Sequence, residues 1–117
     1  MPFGMEPKIR CETLSKQGRT FTVYLLELEN AVVSFFFEEG GPKLGTLALA
    51  LPKASLQPPG LGGSSILLGY KNVNITRILA EYLSSRYGKL SLTSVFLQKE
   101  ADFEAERSLL ELAKTLK

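Results

Sequence analysis

Residues 64–97, SSILLGYKNVNITRILAEYLSSRYGKLSLTSVFL, constrain the fold of this chain most strongly. They read as a short strand, an amphipathic helix and a longer strand. Asn74 stands where an N-cap belongs, with a side-chain oxygen able to accept an orphan backbone N–H. Ile75, Ile78, Leu79, Tyr82 and Leu83 recur at the helical period and predict one apolar stripe. Gly88 supplies the left-handed position that ends the helix. Over 90–97 the side chains alternate, with Leu90, Leu92, Ser94 and Phe96 opposite Ser91, Thr93, Val95 and Leu97. This pattern specifies a layer of sheet and helix and carries no chemistry of its own.

The preceding residues are rich in strand signals. Residues 1–7, with two prolines and a glycine, read as a loose arm. A first strand is expected over 8–14, with Lys8, Arg10 and Glu12 on a charged face and Cys11 turned inward as a small hydrophobe. SKQG at 15–18 is turn chemistry. The run 19–28 is β-branched and aromatic, and Glu29-Asn30 reverses it into 31–38, AVVSFFFE. Phe35 and Phe37 lie on one face of that strand and Phe36 on the other, so both faces must be covered or one must meet a partner. EGGPK at 39–43 reads as a further hairpin connection into a strand over 44–51, which makes the first four strands an antiparallel meander.

Residues 52–65, PKASLQPPGLGGSS, form an exposed and mobile loop by composition. GLGGSS resembles a phosphate-binding loop only superficially: a strand follows it, and no lysine occupies the required position. Lys53, Leu56, Gln57 and Leu61 are the loop side chains with reach toward a partner, and Lys43 joins them from the preceding turn. After the 90–97 strand, Asp102 caps a second helix whose buried stripe is Ala105, Leu109, Leu112, Ala113 and Leu116. Glu100, Glu104, Arg107 and Glu111, spaced at helical intervals and mixed in sign, read as a solvated face. The fold class is therefore α+β. An antiparallel sheet or sandwich of about six strands is flanked by two helices, in the order β-β-β-β-β-α-β-α and as a single domain over 1–117.

Composition excludes several function classes. The 117 residues contain no histidine and one cysteine, which removes Ser-His and Cys-His pairs and the usual zinc sites. No enzyme, metal or cofactor is expected. The net charge of +2 is spread along the chain, unlike the clustered basic stripe of a nucleic-acid surface. No apolar run approaches the roughly 20 residues of a spanning helix, and no leader is evident, so neither membrane nor nucleic acid is a partner. A reducing cytoplasmic setting suits the lone cysteine.

Two segments carry a resemblance. GPKLGTLALAL at 41–51 is similar to an element that opens a strand after a turn in the small proteasome-assembly chaperones, the third and fourth of the eukaryotic set and their archaeal relatives. SSILLG at 64–69 matches the short strand before their first helix. The helix 75–87, the strand 90–97 and a last helix with Leu109, Leu110 and Leu112 fall in register, so the resemblance covers about 19–117. It implies a non-catalytic chaperone that dimerises, binds α subunits of the 20S core particle and assists α-ring assembly. The dimer would be formed with a second copy or with a paralogue, and the 53–63 loop would contact α subunits. An apolar strand surface around Val32 and Phe36 is the expected dimer surface. The alternative is a small-ligand-binding or enzymatic domain, with the 52–65 loop as a lid over a pocket at Tyr70 and Lys71.

Overall fold

A computed structural model describes residues 6–52 and 63–116. Its elements are β1 (Lys8–Lys16), β2 (Arg19–Glu27), β3 (Ala31–Glu38), β4 (Thr46–Ala50), β5 (Ser64–Leu68), α1 (Val73–Tyr87), β6 (Leu90–Phe96) and α2 (Phe103–Thr115). The element order matches the sequence reading. The arrangement differs in one respect. The six strands form a single sheet in the order β1-β2-β3-β6-β4-β5, and β3 pairs with β6 in parallel. The sheet is therefore mixed, and 39–43 is not a hairpin turn: it carries the chain past the end of β6 before β4 begins.

That crossing explains a glycine. A Cβ at Gly45 would lie 2.0 Å from the Val95 carbonyl oxygen and 2.7 Å from its carbon. Gly45 N–H donates to Ser94 Oγ at 2.8 Å, so backbone and side chain lock where the connection crosses β6. Gly69 closes the other side. Its φ is +92°, and a Cβ there would meet Thr46 Cα at 2.8 Å. Segments 41–51 and 64–69 thus meet each other in space, and their glycines serve close approach.

Both helices lie on one face of the sheet. The main core joins Phe21, Val23 and Leu25 of β2, Val32 and Phe36 of β3 and Val95 of β6 to Ile75, Leu79 and Leu83 of α1 and Leu109 and Leu112 of α2. A second cluster sets Ala80 of α1 on Ala48 and Ala50 of β4. The buried side of α1 is therefore rotated from the expected stripe. Thr76, Ala80 and Ser84 face inward, and Ile78 is exposed. Small side chains let α1 approach the β4–β6 half closely.

The cap of α1 is Asn72, not Asn74. Asn72 takes the left-handed conformation, at φ 56°, and its side chain is already engaged: Oδ1 accepts the Ala101 N–H at 2.7 Å. Its carbonyl accepts both the Thr76 N–H and hydroxyl instead. Gly88 ends α1 in the left-handed conformation, as expected. Asp102 caps α2, with Oδ1 accepting the Ala105 N–H at 2.8 Å, and the expected stripe from Ala105 to Leu116 is buried.

Cys11 is exposed, contrary to expectation. The register sets Leu14 opposite Phe21, which belongs to the core beneath α2. Period-two alternation then brings Lys8, Arg10 and Glu12 to the helix side and turns Cys11 to the opposite face.

Replacing Gly45 by alanine is expected to lower unfolding free energy by about 3 kcal/mol or more, the upper end for overpacking. Gly41→Ala, where no atom lies within 4 Å of an added Cβ and φ is not positive, should change it by less than about 0.5 kcal/mol. Urea denaturation of the two variants checks the contrast.

Candidate protein-binding surface

The sheet face opposite the helices has no covering element among the described residues. Its composition follows from the registers. β1 presents Ile9, Cys11, Thr13 and Ser15, and β2 presents Thr20, Thr22, Tyr24 and Leu26. β3 contributes the partly exposed Val33 and Phe35 with the buried Phe37, and β6 the partly exposed Leu90, Leu92 and Phe96 with the buried Ser94. Leu47 and Leu49 of β4 complete the far half. None of these strand positions carries a charge. A solvated sheet face alternates polar residues outward, whereas this one is aliphatic and aromatic at its centre. Tyr24 stacks on Phe37 with ring centroids 5.7 Å apart. Toward the β1–β2 turn the face grades into hydroxyls, with Thr13 beside Thr22 and Ser15 beside Thr20.

The charges that such strands could have carried are gathered on the helix side and the rim. Arg19 forms two hydrogen bonds to Glu38, whose side chain is 5 % exposed, and reaches Asp102 at the start of α2. These bonds from Arg19, with the Gln98 N–H, hold the Glu38 carboxyl below its usual range against the opposing effect of burial. The Asp102 carboxyl is lowered first by the Ala105 N–H and then by Arg19. At the other end of the sheet, Glu27 accepts from Lys89 at 2.9 Å and Arg10 at 2.7 Å, and those two bonds lower its pKa in that order. Lys16 pairs with Glu111 across to α2. These pairs all use helix-side or rim positions, not the strand positions of the open face.

In projection the face measures on the order of 600–700 Å², from strand spacings of about 4.8 Å and rises of about 3.3 Å per residue. A standard protein interface takes about 800 Å² per partner, and the largest apolar patch of a typical monomer is about 300–600 Å². Ile9 at one edge strand is 72 % exposed, and Leu67 and Leu68 at the other are about half exposed. The apolar surface therefore runs to both edges.

Val32 and Phe36, expected at a dimer surface, are not on this face. Both are fully buried beneath the helices, because even-numbered residues of β3 point to the helix side. Their odd-numbered neighbours Val33 and Phe35, each partly exposed, lie on the open face instead. The signal was in the alternation of the strands; which face the helices cover was not. Lys43 is exposed and lies 5.2 Å above the Phe96 ring. Lys53, Leu56, Gln57 and Leu61 lie outside the described residues. Glu104, Arg107 and Glu111 lie along α2 without converging, Arg107 resting on the Phe103 ring.

Tyr70 and Lys71 do line a cavity, of about 380 Å³ at the β6 end of the sheet, together with Leu44, Leu68, Phe96 and Gln98. Among the described residues, Lys71 is the one formally charged side chain on its lining. Among the described residues no group of three His, Cys, Asp or Glu is placed to hold a metal. No helix among them is long and apolar enough to cross a membrane.

Neither family models nor curated protein sequences match this chain. Among solved structures, a chain of a novel chaperone complex for yeast 20S proteasome assembly superimposes with a TM-score of 0.66 at 17 % identity. The match covers 95 % of this chain and 98 % of that one. The likeness is one of fold. It spans the sheet and both helices, which places the whole architecture, and not a fragment of it, in common with that chaperone subunit.

The Arg19 cluster sets a pH dependence. Both carboxyls have folded pKa values below their unfolded ones, so their contribution is present above about pH 4.5 and is lost as pH falls through the folded values. Arg19→Met should cost about 1–3 kcal/mol at pH 7, where it strands a buried carboxylate. The difference from wild type should shrink toward pH 3, as urea midpoints across that range would show.

Proposed function

We propose that this protein is a non-catalytic assembly chaperone for the 20S proteasome core particle, acting in the cytoplasm. It works as a homodimer closed by the uncharged sheet face and binds α subunits during α-ring assembly. The observation that carries the reading is the open face itself: β1, β2, β3, β6 and β4 place no charged side chain on it, over an area close to what a stable partner surface requires. A two-fold pairing of sheet on sheet would bury Tyr24, Phe35 and Leu92 at its centre, with helices on both outer layers. Similarity of fold to a subunit of a yeast proteasome-assembly chaperone complex supports the client. The function needs no cofactor, because gripping a folding intermediate calls for complementary surface and release, not bond-making.

Light scattering coupled to size exclusion should give a mass of about 26 kDa for the 12.9 kDa chain. Phe35→Asp and Leu92→Lys should each raise the dimer dissociation constant about 100-fold or more, since each buries an ion at a cost of several kcal/mol. Circular dichroism should be unchanged, because neither side chain belongs to the core beneath the helices. A monomeric wild-type protein at tens of micromolar would remove the dimer. Failure of the dimer to capture any α subunit of its own host in a reconstituted mixture would remove the chaperone role.

A further inference from the structure

We infer that the groove at the β6 end of the sheet is a second binding surface, which takes an acidic, apolar chain segment of a partner protein. Its floor is Phe96 and its lips are Leu44, Leu68 and Tyr70, which are 57 %, 51 % and 83 % exposed. Apolar side chains this exposed beside a cavity of about 380 Å³ are poised to close around another side chain, a volume within the roughly 300–1,000 Å³ range of binding pockets. The charge is one-sided. Lys43 stands over the Phe96 ring and Lys71 lines the wall, while no acidic side chain among the described residues lines the groove. A partner with carboxylates flanking an aliphatic or aromatic anchor complements that pattern. Beyond Tyr70 the sign reverses: Glu100 and Glu106 line the adjoining hollow, so an acidic segment is confined to the Lys43 side. The walls are set before any ligand arrives. Gly45 and Gly69 hold them at backbone contact, and the Thr46 hydroxyl donates to the Lys71 carbonyl, which limits the ordering cost of binding. The groove borders the uncharged face and shares Phe96 with it, so a pairing through that face that leaves the groove accessible is centred away from Phe96, toward Tyr24 and Phe35. In this respect alone the inference rests on the reading above.

The test is an amide ¹H–¹⁵N titration of the full chain with a short blocked peptide alternating Glu with Leu and Phe, and with its Lys-for-Glu counterpart. Saturable shifts should appear at Leu44, Gly45, Gly69, Tyr70 and Gln98 with the acidic peptide only, and the double variant Lys43→Glu, Lys71→Glu should weaken binding about tenfold or more. Both lysines are exposed, and the same spectrum reports that the variant folds. Equal binding of the basic peptide, shifts centred on Tyr24 and Phe35, indifference to charge reversal, or no saturable shift at millimolar peptide would each overturn the inference. Light scattering on the same samples separates the two readings: a dimer that ignores the peptide sinks only the groove, and a monomer that binds it sinks only the sheet-face dimer.

Discussion

The parallel pairing of β3 with β6 governs this molecule. It places the last strand of the chain in the interior of the sheet, hydrogen-bonded to β3 on one side and β4 on the other. Once β6 holds that place, α1 must lie over the β4–β6 half to deliver it. α2, leaving the same end, is carried back across β1 and β2. Both helices then occupy one face, and the opposite face has nothing to cover it among the described residues.

The two halves of the covered face solve packing differently. Over β1 and β2, α2 meets Phe21, Val23 and Leu25 with leucines, an interface of large interlocking side chains. Beneath α1 the sheet is small and hydroxylated. Ser34 donates to Thr93, which also meets Ser91, and all three are fully buried. No buried side-chain polar atom among the described residues lacks a partner, so these hydroxyls satisfy one another at little cost. The helix can sit close, and its own inward residues, Thr76, Ala80 and Ser84, are correspondingly small.

This division explains where charge is found. Glu38 and Arg19 close the β3 end against α2, and Glu27 gathers Lys89 and Arg10 at the other end. Each pair bridges elements that a uniform apolar layer would leave free to slide, and each uses a helix-side or rim position. What remains for the other face is uncharged. A surface of this kind is costly in water as a monomer and favourable in contact with a like surface, which is why it bears on function more directly than any single residue.

Much of this was legible in the residues. Alternation and β-rich composition located all six strands, Gly88 and Asp102 marked helix ends, and the leucine stripe of α2 was read correctly, because these depend on neighbours a few positions away. The phenylalanines of β3 even announced that both faces were apolar. Periodicity, however, divides a strand into two faces without saying which one a helix will cover. It therefore assigned Val32 and Phe36 to the surface and Cys11 to the interior. Asn74 lost the cap to Asn72 through a bond to Ala101, 29 residues away in sequence. The sequence alone determined the elements and their order. Tertiary structure alone decided the insertion of β6, the covered face and hence the candidate interface, since each depends on hydrogen bonds and contacts between residues far apart in the chain.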